Sequence, residues 1–255
     1  MSTQTRTKSR ELRDARAATE RRRKKRGRAI VAGGGVIIGC LLVAIVISLI
    51  NAAGSGNSRT AAASQGEGAT PAIATAGGAL AVGDAAAPVK LEVYLDYMCP
   101  FCGRFERANS GELDRLVADG TVRLELYPLS FLDRMSNGTD YSTRAANAVA
   151  TVADHAPGKL LAFNTALFAH QPAEGGDGLS DDEIAELARD AGVPQDVVNL
   201  FAGRVFQPWV EASTAAVFQT GIQGTPTVKI NGEVFTGDLY TTGPLTAAVT
   251  AAEGE

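Results

Sequence analysis

The chain is 255 residues long, 45% hydrophobic and 20% charged, enough to bury a sizeable core in one or at most two domains. Its net charge of −4 hides an asymmetry: residues 1–28 hold 12 Lys and Arg against 3 Asp and Glu, about +9, and the remainder carries about −13, so the two ends face different surroundings. Three cysteines, with Cys99 and Cys102 the one pair among them, leave no second cysteine pair for a closed zinc site, which takes four ligands; so few thiols also suit an oxidising compartment.

The basic block Arg21–Arg28 abuts Ala29–Ile50, 22 residues without a charge. At about 1.5 Å per residue that run is long enough to cross a hydrocarbon core of about 30 Å. The pattern predicts a cytoplasmic segment over 1–28, a single transmembrane helix over 29–50 and an extracytoplasmic remainder. It favours attraction of the basic block to anionic lipid over nucleic-acid binding. Two rivals are weaker. A signal peptide cleaved near Ala52-Ala53 has an apolar region of roughly 7 to 15 residues, and the loose lipidation box Ile37-Ile38-Gly39-Cys40 is followed by the apolar run Leu41–Ile50, so Cys40 reads as a membrane-embedded bystander. Residues 51–77, rich in Ala, Gly, Ser and Thr, read as a flexible linker with a reach of about 30 Å. The folded part is expected over 78–255.

Within it, Val89–Leu95 reads as a buried strand, 100–119 as a helix with Pro100 in its first turn, and Val122–Tyr127 as a second strand ending at Pro128. Together they make a βαβ unit with the two thiols at its first turn. Alanine-rich segments 143–155 and 160–170, a third helix opened by the capping-box pair Ser180 and Glu183, and two more over 194–201 and 206–220 form a helical insertion of about 140–220. Thr227–Ile230 and Glu233–Phe235 read as strands joined by the hairpin signal Asn231-Gly232, and a last helix spans 244–252.

Cys99-Pro100-Phe101-Cys102 sits where a strand gives way to a helix, whose N-terminus favours a thiolate over a thiol. A structural disulfide closing so short a loop would stabilise little. His155 and His170 read as surface or boundary residues, although a copper chaperone using the thiols and a histidine is a rival. Phe163, Phe168, Phe206 and Trp209 have spacings that suit core packing.

The run from Val89 to Cys102, the helical insertion, and Gly224-Thr225-Pro226-Thr227 before an Asn-Gly hairpin resemble, in that order, the DsbA-like branch of the thioredoxin superfamily. The resemblance implies an α/β thioredoxin fold with an inserted helical domain and a cis peptide bond before Pro226, beside the thiols. It also implies an extracytoplasmic thiol-disulfide oxidoreductase whose redox centre is the Cys99–Cys102 disulfide, with no separate cofactor and no metal. Cys99, at the helix start, is expected to attack and Cys102, one turn in, to resolve the mixed disulfide. Gly224, Thr225 and Pro226 would offer backbone groups to an extended substrate.

Pro100 and Phe101 bring no charge to the thiols, and the buried acid that many relatives carry six positions before the first cysteine is Val93 here, with Glu92 on the opposite strand face. Asp96 is a candidate for proton transfer, with a solvated turn residue as the plainer reading. The expected partners are exported cysteine-containing proteins, membrane lipid and a membrane reoxidant of the DsbB or vitamin K epoxide reductase type, for a monomer that donates disulfides. Isomerase or reductase action, or a non-enzymatic binding or chaperone module, are the alternatives.

Overall fold

The computed structural model describes residues 69–254. The basic segment, the expected transmembrane helix with Cys40, and the linker up to residue 68 lie outside the described residues. Within them no helix is long and apolar enough to cross a membrane.

A five-stranded sheet in the order β1-β3-β2-β4-β5 forms the centre: β1 (Leu80–Val82), β2 (Val89–Leu95), β3 (Val122–Pro128), β4 (Thr227–Ile230) and β5 (Glu233–Val234). β2 and β3 are parallel, Val93 opposite Leu126, and the helix α1 (Pro100–Ala118) makes the crossover that a parallel pair requires. β4 lies antiparallel on the other side of β2, with Thr227 opposite Tyr94. Because β2 is central and covered on both faces, it reads as an apolar run rather than an alternation.

Leu91, Val93 and Leu95 join the large core with Phe105, Leu113 and Leu116 of α1 and with Leu245 and Val249 of the C-terminal helix. On the opposite face Tyr94 stacks on Tyr127, ring centroids 4.2 Å apart, and accompanies Glu92, which accepts a hydrogen bond from the Tyr94 hydroxyl.

The insertion consists of α2 (Tyr141–His155), α3 (Leu160–Ala169), α4 (Asp181–Asp190), the single turn α5 (Gln195–Val198) and α6 (Gln207–Gln219); α7 (Pro244–Glu253) closes the chain. α2 is buried on nearly every side, and its small alanines let neighbouring helices approach. Asn147, inside it, ties the irregular stretch after α5 to the core by accepting from the Phe206 N–H and donating to the Phe201 carbonyl. Phe163, Phe168, Phe206 and Trp209 all lie in the core, as their spacing suggests. The helix expected over 194–201 is broken, with α5 followed by a 3-10 turn at Phe201–Gly203 and a left-handed Arg204. The Ser180–Glu183 capping box is formed in both directions. Ser180→Ala should therefore cost about 1 kcal/mol in urea unfolding.

The described fold starts earlier than the boundary expected at Gly78. Pro71 is buried, the Ala72 N–H donates to Asp154 Oδ1, and Thr75 bonds to the Ala79 carbonyl, turning the chain back onto β1. β1 itself, three residues in an Ala- and Gly-rich stretch, is too short to show a strand period.

Candidate active site

β2 ends at Leu95, the chain turns through Asp96, Tyr97 and Met98, and α1 begins with Pro100 at its first position. Cys99 is the N-cap, and its side chain does not cap the helix. The sulfur is left free near N–H groups that have no partner within the helix. The Cys99 carbonyl accepts the first helical bonds, from Cys102 N–H at 3.0 Å and Gly103 N–H at 3.3 Å. Cys102, one turn in, is 0% exposed and Cys99 5%; both are free thiols.

The pairing of β4 with β2 brings a loop more than 120 residues away to the same place. Cys99 Sγ donates to the Thr225 carbonyl at 3.3 Å, and the Thr225–Pro226 bond is cis. Gly224 is exposed at the mouth of the site, and Thr225 and Pro226 are half-buried.

The two thiols are driven apart electrostatically. Hydrogen bonding from the Cys102 side chain lowers the Cys99 pKa to about 6; burial opposes this, while the Thr225 side chain and the N–H groups of Cys102 and Phe101 reinforce it. Cys102 is pushed well above the usual thiol value, first by burial and then by its bond to Cys99 and the negative charge there. The arrangement thus favours loss of the proton at Cys99 and its retention at Cys102.

Asp96 is not the solvated turn residue of the plainer expectation. It is 0% exposed, and its carboxylate accepts from Ser142 Oγ at 2.6 Å, Met98 N–H at 2.8 Å and Leu132 N–H at 2.9 Å. Burial raises its pKa to about 7 against the pull of those three donors. Its own N–H points at Cys102 Sγ, 3.5 Å away.

A second buried carboxylate, Glu106, sits one helical turn beyond Cys102. It accepts from Asn164 Nδ2 and Thr165 Oγ1, and burial raises it to about 7 as well. Asn164 in turn accepts from the Tyr97 hydroxyl at 2.9 Å.

Two surfaces flank Cys99. On one side a cavity of about 340 Å³ is lined by Cys99, Thr225, Phe131, Phe218, Arg134 and Glu174 among others. Phe131 and Phe218 meet there edge to face, and Phe218 is 49% exposed. On the other, Phe101, 51% exposed, lies beside Tyr240, with the Arg104 guanidinium 4.6 Å over the Tyr240 ring. Pro100 is likewise exposed at the start of α1.

Sequence reasoning missed Ser142, Glu106, Phe131, Phe218 and Tyr240. No local motif marks them: Glu106 shares α1 with Cys102 but looks like any surface carboxylate of a helix, and only the tertiary fold brings the others to the thiols. His155 pairs with Asp154, and His170 lies exposed at the end of α3 with its ring on the Ala166 carbonyl. Among the described residues no group of three or more His, Cys, Asp and Glu could hold a metal ion.

A family model described as thioredoxin matches residues 75–247. Among solved structures, the reduced form of the disulfide bond oxidoreductase DsbG from Mycobacterium tuberculosis is 30% identical, with a TM-score of 0.62 over 72% of this chain and 91% of that one. Oxidised DsbA from the same organism is 30% identical, with a TM-score of 0.60 over 69% of this chain and 93% of that one. MdbA, a thiol-disulfide oxidoreductase from Actinomyces oris, is 27% identical, with a TM-score of 0.62 over 74% and 93%. Among curated proteins, the serine/threonine-protein kinase PknE of M. tuberculosis is 35% identical over 122 residues, 46% of this chain and 22% of the kinase. The chain thus matches about a fifth of the length of that curated relative.

Proposed function

The chain belongs to the thioredoxin family, matched over residues 75–247, and from that premise we propose a DsbA-like thiol-disulfide oxidoreductase that passes a Cys99–Cys102 disulfide to cysteine-containing proteins outside the cytoplasm. One observation carries the reading: Cys99 Sγ stands at a helix N-terminus, 3.3 Å from the Thr225 carbonyl, with Cys102 fully buried one turn behind it. In the oxidised chain a client thiolate attacks Cys99 and the S–S bond to Cys102 breaks, leaving Cys102 with the electron pair. A second client thiolate then attacks the client sulfur of the mixed disulfide. The products are a client disulfide and a Cys99–Cys102 dithiol, with no further cofactor.

Cys102, buried and held well above the usual thiol value, needs a proton as it leaves. Asp96 is the group we assign to it. A carboxyl near pKa 7 can hold a proton at neutral pH, and the Asp96 main-chain N–H, 3.5 Å from the Cys102 sulfur, puts the residue beside it. The client backbone would run along Gly224-Thr225-Pro226, with side chains reaching the cavity between Phe131 and Phe218.

The uncharged run Ala29–Ile50 behind the Arg21–Arg28 block supports a single-pass anchor with the N-terminus in the cytoplasm and the domain outside. A membrane reoxidant of the DsbB or vitamin K epoxide reductase type would restore the disulfide of a monomer.

The direction is tested by mixing the full-length oxidised protein with one client in two forms, fully reduced and with scrambled disulfides. The reading predicts faster recovery of native disulfides in the reduced form only. Rescue of the scrambled form at equal or greater rate makes the protein an isomerase instead.

A further inference from the structure

Gln171 lies just past α3, in the helical insertion, where its N–H bonds the Phe168 carbonyl. Its side-chain Nε2 spans the thiol turn, donating to the Tyr97 carbonyl at 3.0 Å and to the Cys99 carbonyl at 2.8 Å. No side chain caps the N-terminus of α1, so this amide is a fastening that the insertion adds to the turn from outside. Gly103 makes room for it. A Cβ there would run into Gln171 Oε1, so only glycine admits the amide at this distance.

We propose that Gln171 is a positioning residue for the reacting sulfur: seated against Gly103 and holding the Tyr97 and Cys99 carbonyls together, it fixes the turn that sets Cys99 Sγ at the N-terminus of α1, 3.3 Å from the Thr225 carbonyl. The physical reason is positional. The partial positive charge at a helix N-terminus favours a thiolate only while the sulfur lies beside the first turn. Holding carbonyls on both sides of Met98 restrains the peptide planes on which that position depends. The helical insertion is thereby part of the thiolate site, not merely a cover over it. The inference rests on Cys99 being the attacking thiolate.

Two substitutions remove the amide by different routes. Gln171→Met keeps the length of the side chain and deletes its donor. Gly103→Ala leaves Gln171 intact and displaces it, while an alanine at this helical position favours α1 by up to about 1 kcal/mol. Neither changes the charges around Cys99: Cys102 and Arg104 on α1, Tyr240 beyond them, and Arg134 and Glu174 across the cavity.

The readout is the pH dependence of Cys99 alkylation by iodoacetamide in the reduced full-length protein, resolved from Cys40 and Cys102 by peptide mass and fragmentation. The wild-type midpoint should lie near 6. Each substitution should raise it by about 0.5 to 1 unit, the equivalent of about one hydrogen bond. The double variant should shift no further than the larger single one, since both remove the same contact. Gly103→Ala should do this without lowering the thermal midpoint, which a merely structural role would not produce. Unchanged midpoints in both variants, or shifts that add in the double variant, overturn the proposal. A wild-type Cys99 that titrates like an ordinary thiol overturns the thiolate reading itself, a separate failure visible before any variant is made.

Discussion

Replacing Cys99 by Ser should reduce disulfide transfer to the uncatalysed background, a loss of about 10³-fold or more, whereas replacing Cys102 by Ser should leave clients covalently bonded to Cys99. The two outcomes differ because the sulfurs occupy different environments. Cys99 is the sulfur beside the cavity and the Thr225 loop, and it is the one with a lowered pKa. A hydroxyl in its place is protonated at neutral pH and cannot enter thiol-disulfide exchange. Cys102 is 0% exposed, so no client reaches it; in the proposed exchange it is the sulfur that leaves when a client opens the Cys99–Cys102 bond and, in the reverse direction, the one that attacks Cys99 and releases the client. With serine there, Cys99 still opens a client disulfide, but the internal attack that would release the adduct is gone and only a thiol from outside can resolve it. The adduct should appear as a band that disappears on reduction in non-reducing electrophoresis. A chaperone or binding module with incidental thiols would lose nothing in the Cys99→Ser variant.

The unfolding free energy of the oxidised protein should fall as pH rises from about 4 to about 7, and Asp96→Asn should flatten that slope. Asp96 and Glu106 have ordinary values of 3.8 and 4.5 and are raised to about 7 by burial in the folded chain. Between those limits the folded state keeps protons that the unfolded state has released, so the contribution of these two groups is full below about pH 4, declines through the window and is gone above about 7. A shift of this size is of order 3 kcal/mol for each group at its limit. Asp114 and Asp133, also raised by burial, act in the same direction. Asn at position 96 cannot ionise and removes that share, although its amide meets the Leu132 N–H donor to donor and so lowers the whole curve. Urea unfolding of the oxidised form at several pH values reads this slope without the titration of Cys99, which the disulfide silences.

The parts of the molecule that were legible from the sequence are those whose determinants are local. Strand, CxxC and helix follow from a buried apolar run and from Pro100 in a first turn; the β4–β5 hairpin follows from Asn231-Gly232, both at positive φ; α4 follows from the Ser180–Glu183 box. The Gly224-Thr225-Pro226 loop was placed beside the thiols by resemblance, and the structure sets Thr225 there through the β2–β4 register.

What was not legible is set by packing between distant segments. An aspartate ending a strand looks solvated until Ser142 and Leu132 close over it. Gln171, 72 residues from Cys99, carries no motif, and its link to Gly103 exists only in three dimensions. The early start of the fold was hidden for a similar reason: Pro71–Gly77 has a linker's composition, yet Asp154 and Ala79 supply its backbone partners.

The central claim is that electrons pass between a client and the Cys99–Cys102 pair. Its most direct test mixes the oxidised full-length protein with one reduced client, quenches with acid and counts free thiols on both by alkylation and mass spectrometry. One client disulfide should form for every Cys99–Cys102 dithiol that appears, and none with Cys99→Ser. A client that gains disulfides while the Cys99–Cys102 bond stays intact, or one that stays reduced beside it, would contradict the account.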